Sequence, residues 1–254
     1  MAYTHGHHES VLRSHRWRTA ENSCAYLLPH LRPDHLLLDV GCGPGTITAD
    51  LAGRLGSIVG IDPSASVIAE ARADHPDLDL RAEDLFGHEG HYDVVHAHQV
   101  LQHLADPVGA LQAMAELGSL VAVRDSDYPA MVWSPDSEHL DRWLDVYLRV
   151  TRHNGANADA GRRLVSWAQA AGLEEIRYST STWTFATPDE RTWWSELWAE
   201  RTTSSAFAEQ AVEYGIATAD ELAEVARGWR DWATNDDALF VVLHGELVAR
   251  GRPA

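Results

Sequence analysis

Three glycines spaced two residues apart form the part of this sequence best suited to holding a ligand. Gly41, Gly43 and Gly45 follow an apolar segment at 36–40 and precede residues typical of a helix, beginning at Thr46. Because glycine lacks a β-carbon, the backbone of such a turn can approach a ligand closely. Unpaired N–H groups at the start of the helix would also favour an anionic group there. The spacing therefore predicts a ligand site beyond the first strand.

Acidic residues follow the next two predicted strands. Asp62 lies 21 residues after Gly41, and Asp84 follows the third strand. An acid at the first of these positions commonly binds the hydroxyls of a nucleotide ribose. Asp84 could accept a hydrogen bond from an adenine amino group, with Leu85 against the ring. The structural alternatives are that Asp62 caps the helix beginning at Pro63-Ser64 and that Asp84 lies in a solvated turn.

The elements that must position these residues alternate between strand and helix. The predicted strands are 36–40, 57–62, 78–83, 92–98 and 120–125, with helices at about 46–54, 64–73 and 106–118 between them. This alternation is typical of a parallel sheet covered on both faces, which binds its ligands beyond the carboxyl ends of the strands.

Helices and a sheet edge are predicted for the remainder of the chain. The helices are expected at 8–31, 136–153, 159–171 and through the tryptophan-rich segment 188–232, with two late strands at 175–185 and 238–249 that could pair antiparallel. The expected inward positions of the first helix are Val11, Leu12, Trp17, Tyr26 and Leu27. We predict a single domain with a helical cover (1–33), a core (34–186 and 236–250) and a helical insertion (187–235).

The composition disfavours some classes of partner and favours one cellular location. The 20 basic and 38 acidic residues give a net charge of −18, which disfavours nucleic acid and anionic membrane surfaces as partners. Only Cys24 and Cys42 are present, no apolar run has membrane-spanning length, and the polar start lacks a signal-peptide core. A cytoplasmic location is expected, and the composition is silent on oligomeric state.

Four segments in order, LLLDVGCGPG, IVGIDPS, RAEDLF and HAHQVLQHLADP, resemble the class I S-adenosylmethionine-dependent methyltransferases. The resemblance is greatest to the small-molecule group that includes the ubiquinone and menaquinone C-methyltransferases, and it covers residues 34–127. It implies a Rossmann-like α/β fold with a seven-stranded, mostly parallel sheet whose last strand is antiparallel. It also implies in-line methyl transfer from S-adenosylmethionine to a small-molecule acceptor. The cofactor-binding residues implied are Gly41, Cys42, Gly43, Asp62, Pro63, Asp84, Leu85, His98, Gln99 and Val100.

Histidines follow the fourth predicted strand, where members of this family face the acceptor. His103 could be the general base for an acceptor hydroxyl, because the unperturbed pKa of histidine lies near neutrality. His98 is the second candidate for a catalytic role. The alternative for His103 is a structural role at the start of a helix.

The residues predicted to bind the acceptor come from two segments, the N-terminal segment and the end of the fifth strand. Tyr3, His7 and Trp17 could form a lid over the cofactor, since family members often cover the site with their N-terminal segment. Asp125 and Tyr128 lie at the end of the fifth strand, where polar side chains could converge on a substrate, although a surface turn explains the acidic residues equally well. We therefore expect a small acceptor bounded by these residues, His98 and His103.

Several features allow more than one interpretation. The cluster of His5, His7 and His8 could bind a metal, but a solvated terminus explains it better, and no metal site is predicted. Five tryptophans, at positions 193, 194, 198, 229 and 232, could form a helical core, line an acceptor pocket, or do both.

Two other functions stay open at this point. An NAD-dependent oxidoreductase would need a third glycine where Thr46 stands. A non-catalytic cofactor-binding protein would keep the fold without turnover.

Overall fold

Parallel strands form the centre of the computed structural model, which describes the backbone of residues 9–251 and the side chains of residues 13–251. The strands in this range are β1 (Leu36–Val40), β2 (Ser57–Ile61), β3 (Asp79–Arg81), β4 (Tyr92–His98), β5 (Gly118–Ser126), β6 (Val132–Ser134), β7 (Glu174–Phe185) and β8 (Leu239–Arg250). The helices in this range are α1 (Glu9–Arg16), α2 (Ala20–Cys24), α3 (Thr46–Ala52), α4 (Ala65–Asp74), α5 (Pro107–Leu117), α6 (Glu138–His153), α7 (Ala160–Ala170), α8 (Pro188–Ser204), α9 (Ala206–Glu213) and α10 (Ala219–Ala233).

The described chain forms two compact units. The sheet unit comprises His15–Ser126, Ala160–Ser181 and residues 244–251. The aromatic unit comprises residues 9–14, Asp127–Asp159 and Thr182–Leu243. The single-domain organisation and its predicted boundaries stay a prediction.

The sheet unit has the predicted Rossmann-like α/β fold. Strands β3, β2, β1, β4 and β5 lie side by side in that order and are parallel, and β8 pairs antiparallel with β5 from Leu120↔Arg250 to Ser126↔His244. Strand β7 pairs with β8. The seven predicted strands and the antiparallel last strand are thus confirmed.

Both faces of the parallel strands are buried, which explains their nearly continuous apolar sequences. Leu37 of β1 packs on one face with Leu27 and with Leu51 of α3. Leu38 packs on the other face with Leu111 of α5. Alternate side chains of one strand therefore serve two layers of helices.

The aromatic unit has its own core, in which indole rings pack edge to face. Trp143 of α6 lies 4.5 Å from Trp198 of α8 and 5.0 Å from Trp229 of α10, measured between ring centroids. Gly228 lets α10 approach α6 closely, since a β-carbon there would collide with His139. Short strand β6, which the sequence analysis missed, pairs antiparallel with the first residues of β8.

The prediction of one continuous helix over residues 8–31 is wrong. Helix α1 ends at Arg16, and Thr19 begins α2 because its side chain accepts a hydrogen bond from the Asn22 N–H (3.1 Å) and the Asn22 side chain accepts one from the Thr19 N–H (2.9 Å). This capping box starts a new helix. Trp17 lies between the helices with 36% of its surface exposed, so it is not an inward position. The side chains of Val11 and Leu12 lie outside the described residues.

No helix within residues 9–251 is long and apolar enough to cross a membrane.

A buried hydrogen-bonded chain links four elements beneath the glycine turn. Asp39 of β1 accepts hydrogen bonds from Thr48 of α3 (2.6 Å) and from Nδ1 of His96 of β4 (2.9 Å). Nε2 of His96 lies 3.4 Å from Sγ of Cys24 in α2. Burial opposes a charge on His96, but Cys24 and Asp39 outweigh it and raise the pKa of His96 to about 10. The Asp39–His96 pair is therefore ionic at neutral pH.

Removing one member of this buried pair leaves a charge without its partner. We expect Asp39→Ala to lower the free energy of unfolding by about 3–5 kcal/mol, measured by urea denaturation. Asp34→Ala is the control, because Asp34 is an exposed aspartate just before β1. Equal stability of the two variants would contradict the structural role given to Asp39.

The pair also predicts a pH dependence of stability. The pKa of His96 is raised in the folded state relative to about 6.5 in the unfolded chain. The proton therefore stabilises the fold fully below about pH 6.5, and this contribution is lost as the pH rises through about 10. We expect the stability difference between wild type and His96→Gln to shrink over that range. A difference that does not change with pH would mean that His96 is uncharged.

Candidate active site

The glycine turn after β1 depends on left-handed backbone conformations. Gly41, Gly43 and Gly45 have φ values of +66°, +54° and +77°, a region that favours glycine. Cys42 between them donates its N–H to the Ile61 carbonyl (3.0 Å), and burial raises the pKa of its thiol. Cys42 therefore fills space in the turn as a protonated thiol.

Gly41 also permits a close approach by the segment after β4. A β-carbon at position 41 would lie 2.5 Å from Cγ2 of Val100, so only glycine fits against this side chain. Two of the predicted cofactor-binding segments, the glycine turn and residues 98–100, thus meet at one end of the sheet.

Asp62 connects the glycine turn to the residue that caps the next helix. Its Oδ2 accepts a hydrogen bond from the Gly43 N–H (3.2 Å), and its Oδ1 accepts one from the Ser64 N–H (2.9 Å). The cap of α4 is Ser64, whose hydroxyl oxygen accepts from the Val67 N–H (3.4 Å). A carboxylate oxygen can accept more than one hydrogen bond, which is the chemistry that binds a pair of ribose hydroxyls.

The predicted adenine-binding residues lie just after β3. Asp84 is exposed, and its Oδ1 caps the short 3-10 helix Leu85–Gly87 by accepting the Phe86 N–H (2.9 Å). Leu85 is buried in the apolar core, whereas Phe86 is 60% exposed. Pro63 is exposed next to Asp62. The exposed Phe86 ring, which the sequence analysis overlooked, is a flat apolar surface beside these residues.

Gln99 has the strained conformation that often marks a functional site. Its φ is +55°, and glycine is the residue that adopts such a value without cost. Its amide nitrogen lies 2.8 Å from Oγ of Ser126 and 2.9 Å from Nε2 of His244, and its Oε1 accepts a hydrogen bond from Arg18 (2.8 Å). Three separate segments therefore hold the Gln99 side chain.

Arg18 is a site residue that the sequence analysis missed. It lies between α1 and α2, 81 residues before Gln99, and Nη1 of Arg18 also lies 3.5 Å from Nδ1 of His98. The residues just before it lie on the glycine turn, because the Thr46 hydroxyl donates to the His15 carbonyl (3.0 Å). Residues 15–18 thus extend from the glycine turn to the end of β4. No sequence pattern near Arg18 indicated this position.

His98 is buried and uncharged. Burial, the charges of Arg18 and Arg124, and nearby His244 lower its pKa well below the usual value. Nη1 of Arg124 donates to Nε2 of His98 (2.9 Å), and Arg124 is paired with Glu246 (3.1 Å). Because its Nε2 lone pair is engaged in this way, His98 is a poor proton acceptor.

His103 lies on the turn that follows β4, and Asp125 of β5 contacts that turn. Burial and the charge of Arg18 lower the pKa of His103 to about 3, and Nε2 of His103 lies 3.2 Å from Nε2 of Gln102. Asp125 accepts a hydrogen bond from the Gln102 N–H (3.2 Å), and burial raises its pKa to about 7. Asp125 therefore anchors the turn that carries His103.

Most of the other predicted acceptor-binding residues lie outside the described residues or belong to the aromatic unit. Tyr3 and His7 lie outside the described residues, as do His5 and His8. Tyr128 belongs to the aromatic unit, where it is buried and stacks on Tyr147 with 4.1 Å between ring centroids. Of the five tryptophans discussed above, Trp193 packs against the core of this unit and the other four lie within it.

Comparisons with known proteins agree with this arrangement. A methyltransferase-domain family model matches residues 38–118. An uncharacterised methyltransferase of Schizosaccharomyces pombe is 31% identical over 98% of this chain and 96% of its own length. Nothing in the comparisons supports an oxidoreductase.

Solved structures share the fold at low sequence identity. A putative methyltransferase from Bacillus halodurans has a TM-score of 0.56 at 14% identity, covering 91% of this chain and 98% of that one. Phosphoethanolamine N-methyltransferase 2 of Haemonchus contortus, solved with S-adenosylhomocysteine, has a TM-score of 0.52 at 16% identity, covering 91% of this chain and 52% of that one.

Two kinds of observation indicate the same family. One is the glycine turn with its hydrogen bond to Asp62, and the other is the relative matched over nearly its whole length. The chain belongs to the class I S-adenosylmethionine-dependent methyltransferases.

Proposed function

We propose that the sheet unit binds S-adenosylmethionine along the carboxyl ends of β1 to β4. The turn at residues 41–43 would surround the methionine end, Asp62 would accept hydrogen bonds from the ribose hydroxyls, and Asp84 with Phe86 would contact the adenine. The hydrogen bond between Gly43 and Asp62 carries this proposal, because it holds the turn and the acid in one ligand-facing arrangement. When bound, the cofactor supplies an electrophilic methyl group.

The acceptor is proposed to be a small molecule that meets the methyl group beside residues 98–103. Alignment of the acceptor and exclusion of water are the main contributions expected of the protein. The segment at residues 15–18 would exclude water, since it extends between the glycine turn and the end of β4. The net charge of −18 argues against a nucleic-acid acceptor.

His103 is proposed to contact the acceptor as a neutral group. A base with a pKa near 3 has little driving force to remove a proton at neutral pH, so hydrogen bonding suits His103 better than general-base catalysis. His98 is proposed to act beside it by orienting Arg124, from which its Nε2 accepts a hydrogen bond.

The role of Asp62 can be tested by cofactor binding. We expect Asp62→Ala to weaken the binding of S-adenosylhomocysteine by about 1.5–3 kcal/mol, because charge-assisted hydrogen bonds to the ribose are lost. Asp62→Asn should weaken it less, since one acceptor oxygen remains. Isothermal titration calorimetry gives the affinities, with NAD as the negative ligand.

The matched control for Asp62 is Asp74→Ala, an exposed aspartate at the end of α4. It should bind S-adenosylhomocysteine like the wild type. Unchanged affinity in a folded Asp62→Ala variant would contradict ribose binding.

The role of His103 can be tested by turnover. With radiolabelled S-adenosylmethionine and a panel of phenolic and enolic acceptors, we expect His103→Ala to lower kcat by less than roughly tenfold, as for a lost hydrogen bond. We also expect the pH profile of kcat in the wild type to show no step near pH 6.5. A fall of roughly 10²–10⁴-fold, with such a step in the wild type, would instead identify His103 as a general base.

A further inference from the structure

Two arginine side chains and two histidine rings from four segments meet at the end of β4. Arg18 comes from the segment between α1 and α2, His98 from β4, Arg124 from β5 and His244 from β8. Arg18 and Arg124 contact opposite ring nitrogens of His98, at 3.5 and 2.9 Å. The ring centroids of His98 and His244 are 6.4 Å apart.

The two arginines differ in their surroundings. Arg124 is fully buried and ion-paired with Glu246, whose carboxylate also accepts hydrogen bonds from Ser179 and Ser181. Arg18 is only partly buried, and its guanidinium lies against Gln99 and His98 at the carboxyl end of the strand. Arg124 is therefore part of the framework, and Arg18 faces the residues where the acceptor is proposed to bind.

The charge of Arg18 acts on the neighbouring side chains. It is the charge that opposes protonation of His103, in addition to burial, and it acts with Arg124 on His98. At the same place, burial raises the pKa of Asp125 to about 7, so part of its negative charge is absent at neutral pH. A second cation brought close to the Arg18 guanidinium, which lies against Gln99 and His98, would be repelled by it.

We propose that Arg18 is a specificity-determining residue, which makes the site select acceptors whose reacting group is an anion over acceptors that are protonated amines. Phenolates, enolates and carboxylates are the chemical classes that fit. The proposal rests on the proposed function, because it places the acceptor beside residues 98–103.

The charges of the reaction suit such an acceptor. A lone pair of the anion forms the bond to the methyl carbon, and the electron pair of the carbon–sulfur bond passes to sulfur. A negative acceptor atom and a positive sulfonium thus give two groups that are both uncharged. The proton of a phenol or enol leaves to solvent before the attack, so the site does not need a strong base.

The inference can be tested without knowing the acceptor. Sinefungin carries an amino group, protonated at neutral pH, in the position of the sulfonium methyl, whereas S-adenosylhomocysteine is uncharged there. The ammonium group of sinefungin therefore occupies the position that the ammonium group of an amine acceptor would have to approach. The measured quantity is the ratio of the two dissociation constants, obtained by calorimetry on the same protein sample.

Three variants separate the charge of Arg18 from its hydrogen bonds. Arg18→Gln removes the charge, Arg18→Lys keeps the charge but not the planar guanidinium, and Arg16→Gln removes an exposed charge from the same segment. We expect the wild type to bind S-adenosylhomocysteine more tightly than sinefungin. Arg18→Gln should reduce this preference roughly tenfold or more, because it removes a unit charge from a partly buried site.

The controls decide between electrostatics and structure. Arg18→Lys and Arg16→Gln should keep the preference within about twofold of the wild type, because both retain the charge at position 18. An Arg18→Gln variant with an unchanged preference, or an Arg18→Lys variant that matches Arg18→Gln, would overturn the inference. If the wild type bound neither ligand, the proposed function itself would fail instead.

Discussion

The ion pair between Asp39 and His96 is the constraint on which the candidate site depends. These residues are opposite each other in the register of β1 and β4, and both side chains are buried. Gly41 follows Asp39 by two positions, and His98 follows His96 by two positions. A slip of this register would turn every side chain of one strand to the other face of the sheet. The pair therefore places the glycine turn and the residues after β4 at the same level.

Two features of the segment after β4 shape the candidate site next to this ion pair: the packing of Val100 and the backbone strain of Gln99. Val100 packs where a β-carbon of residue 41 would be, and Gln99 holds a conformation that costs free energy for a residue other than glycine. Hydrogen bonds from Arg18 and to Ser126 stabilise that conformation. Gln99 is thus held by one residue that precedes it in the chain and one that follows it. These contacts fix the conformation of the segment without a ligand.

The charge next to the candidate site differs from the overall charge of the chain. The chain as a whole carries −18, whereas the end of β4 brings together Arg18, the Arg124–Glu246 ion pair and histidines that burial keeps neutral. The overall charge governs which large partners are repelled at long range. The groups within a few ångströms of the reacting atoms determine which acceptor is stabilised, since interactions strengthen where water is excluded. In the proposed arrangement, Arg18 therefore says more about the acceptor than the composition does.

The sequence alone determined those features that are encoded by neighbouring residues. Alternating strand and helix patterns predicted the parallel sheet, and the glycine spacing with Asp62 predicted the ligand-binding turn, because backbone preferences and burial periods are local properties. Only the tertiary structure brought Arg18 to Gln99 and His96 to Asp39, and it lowered the pKa of His103, since each of these depends on contacts between distant segments. The break at residues 17–19 is also local, because it comes from a capping box that does not stand out in an apolar pattern, whereas strand β6 was decided by pairing with a strand more than a hundred residues away.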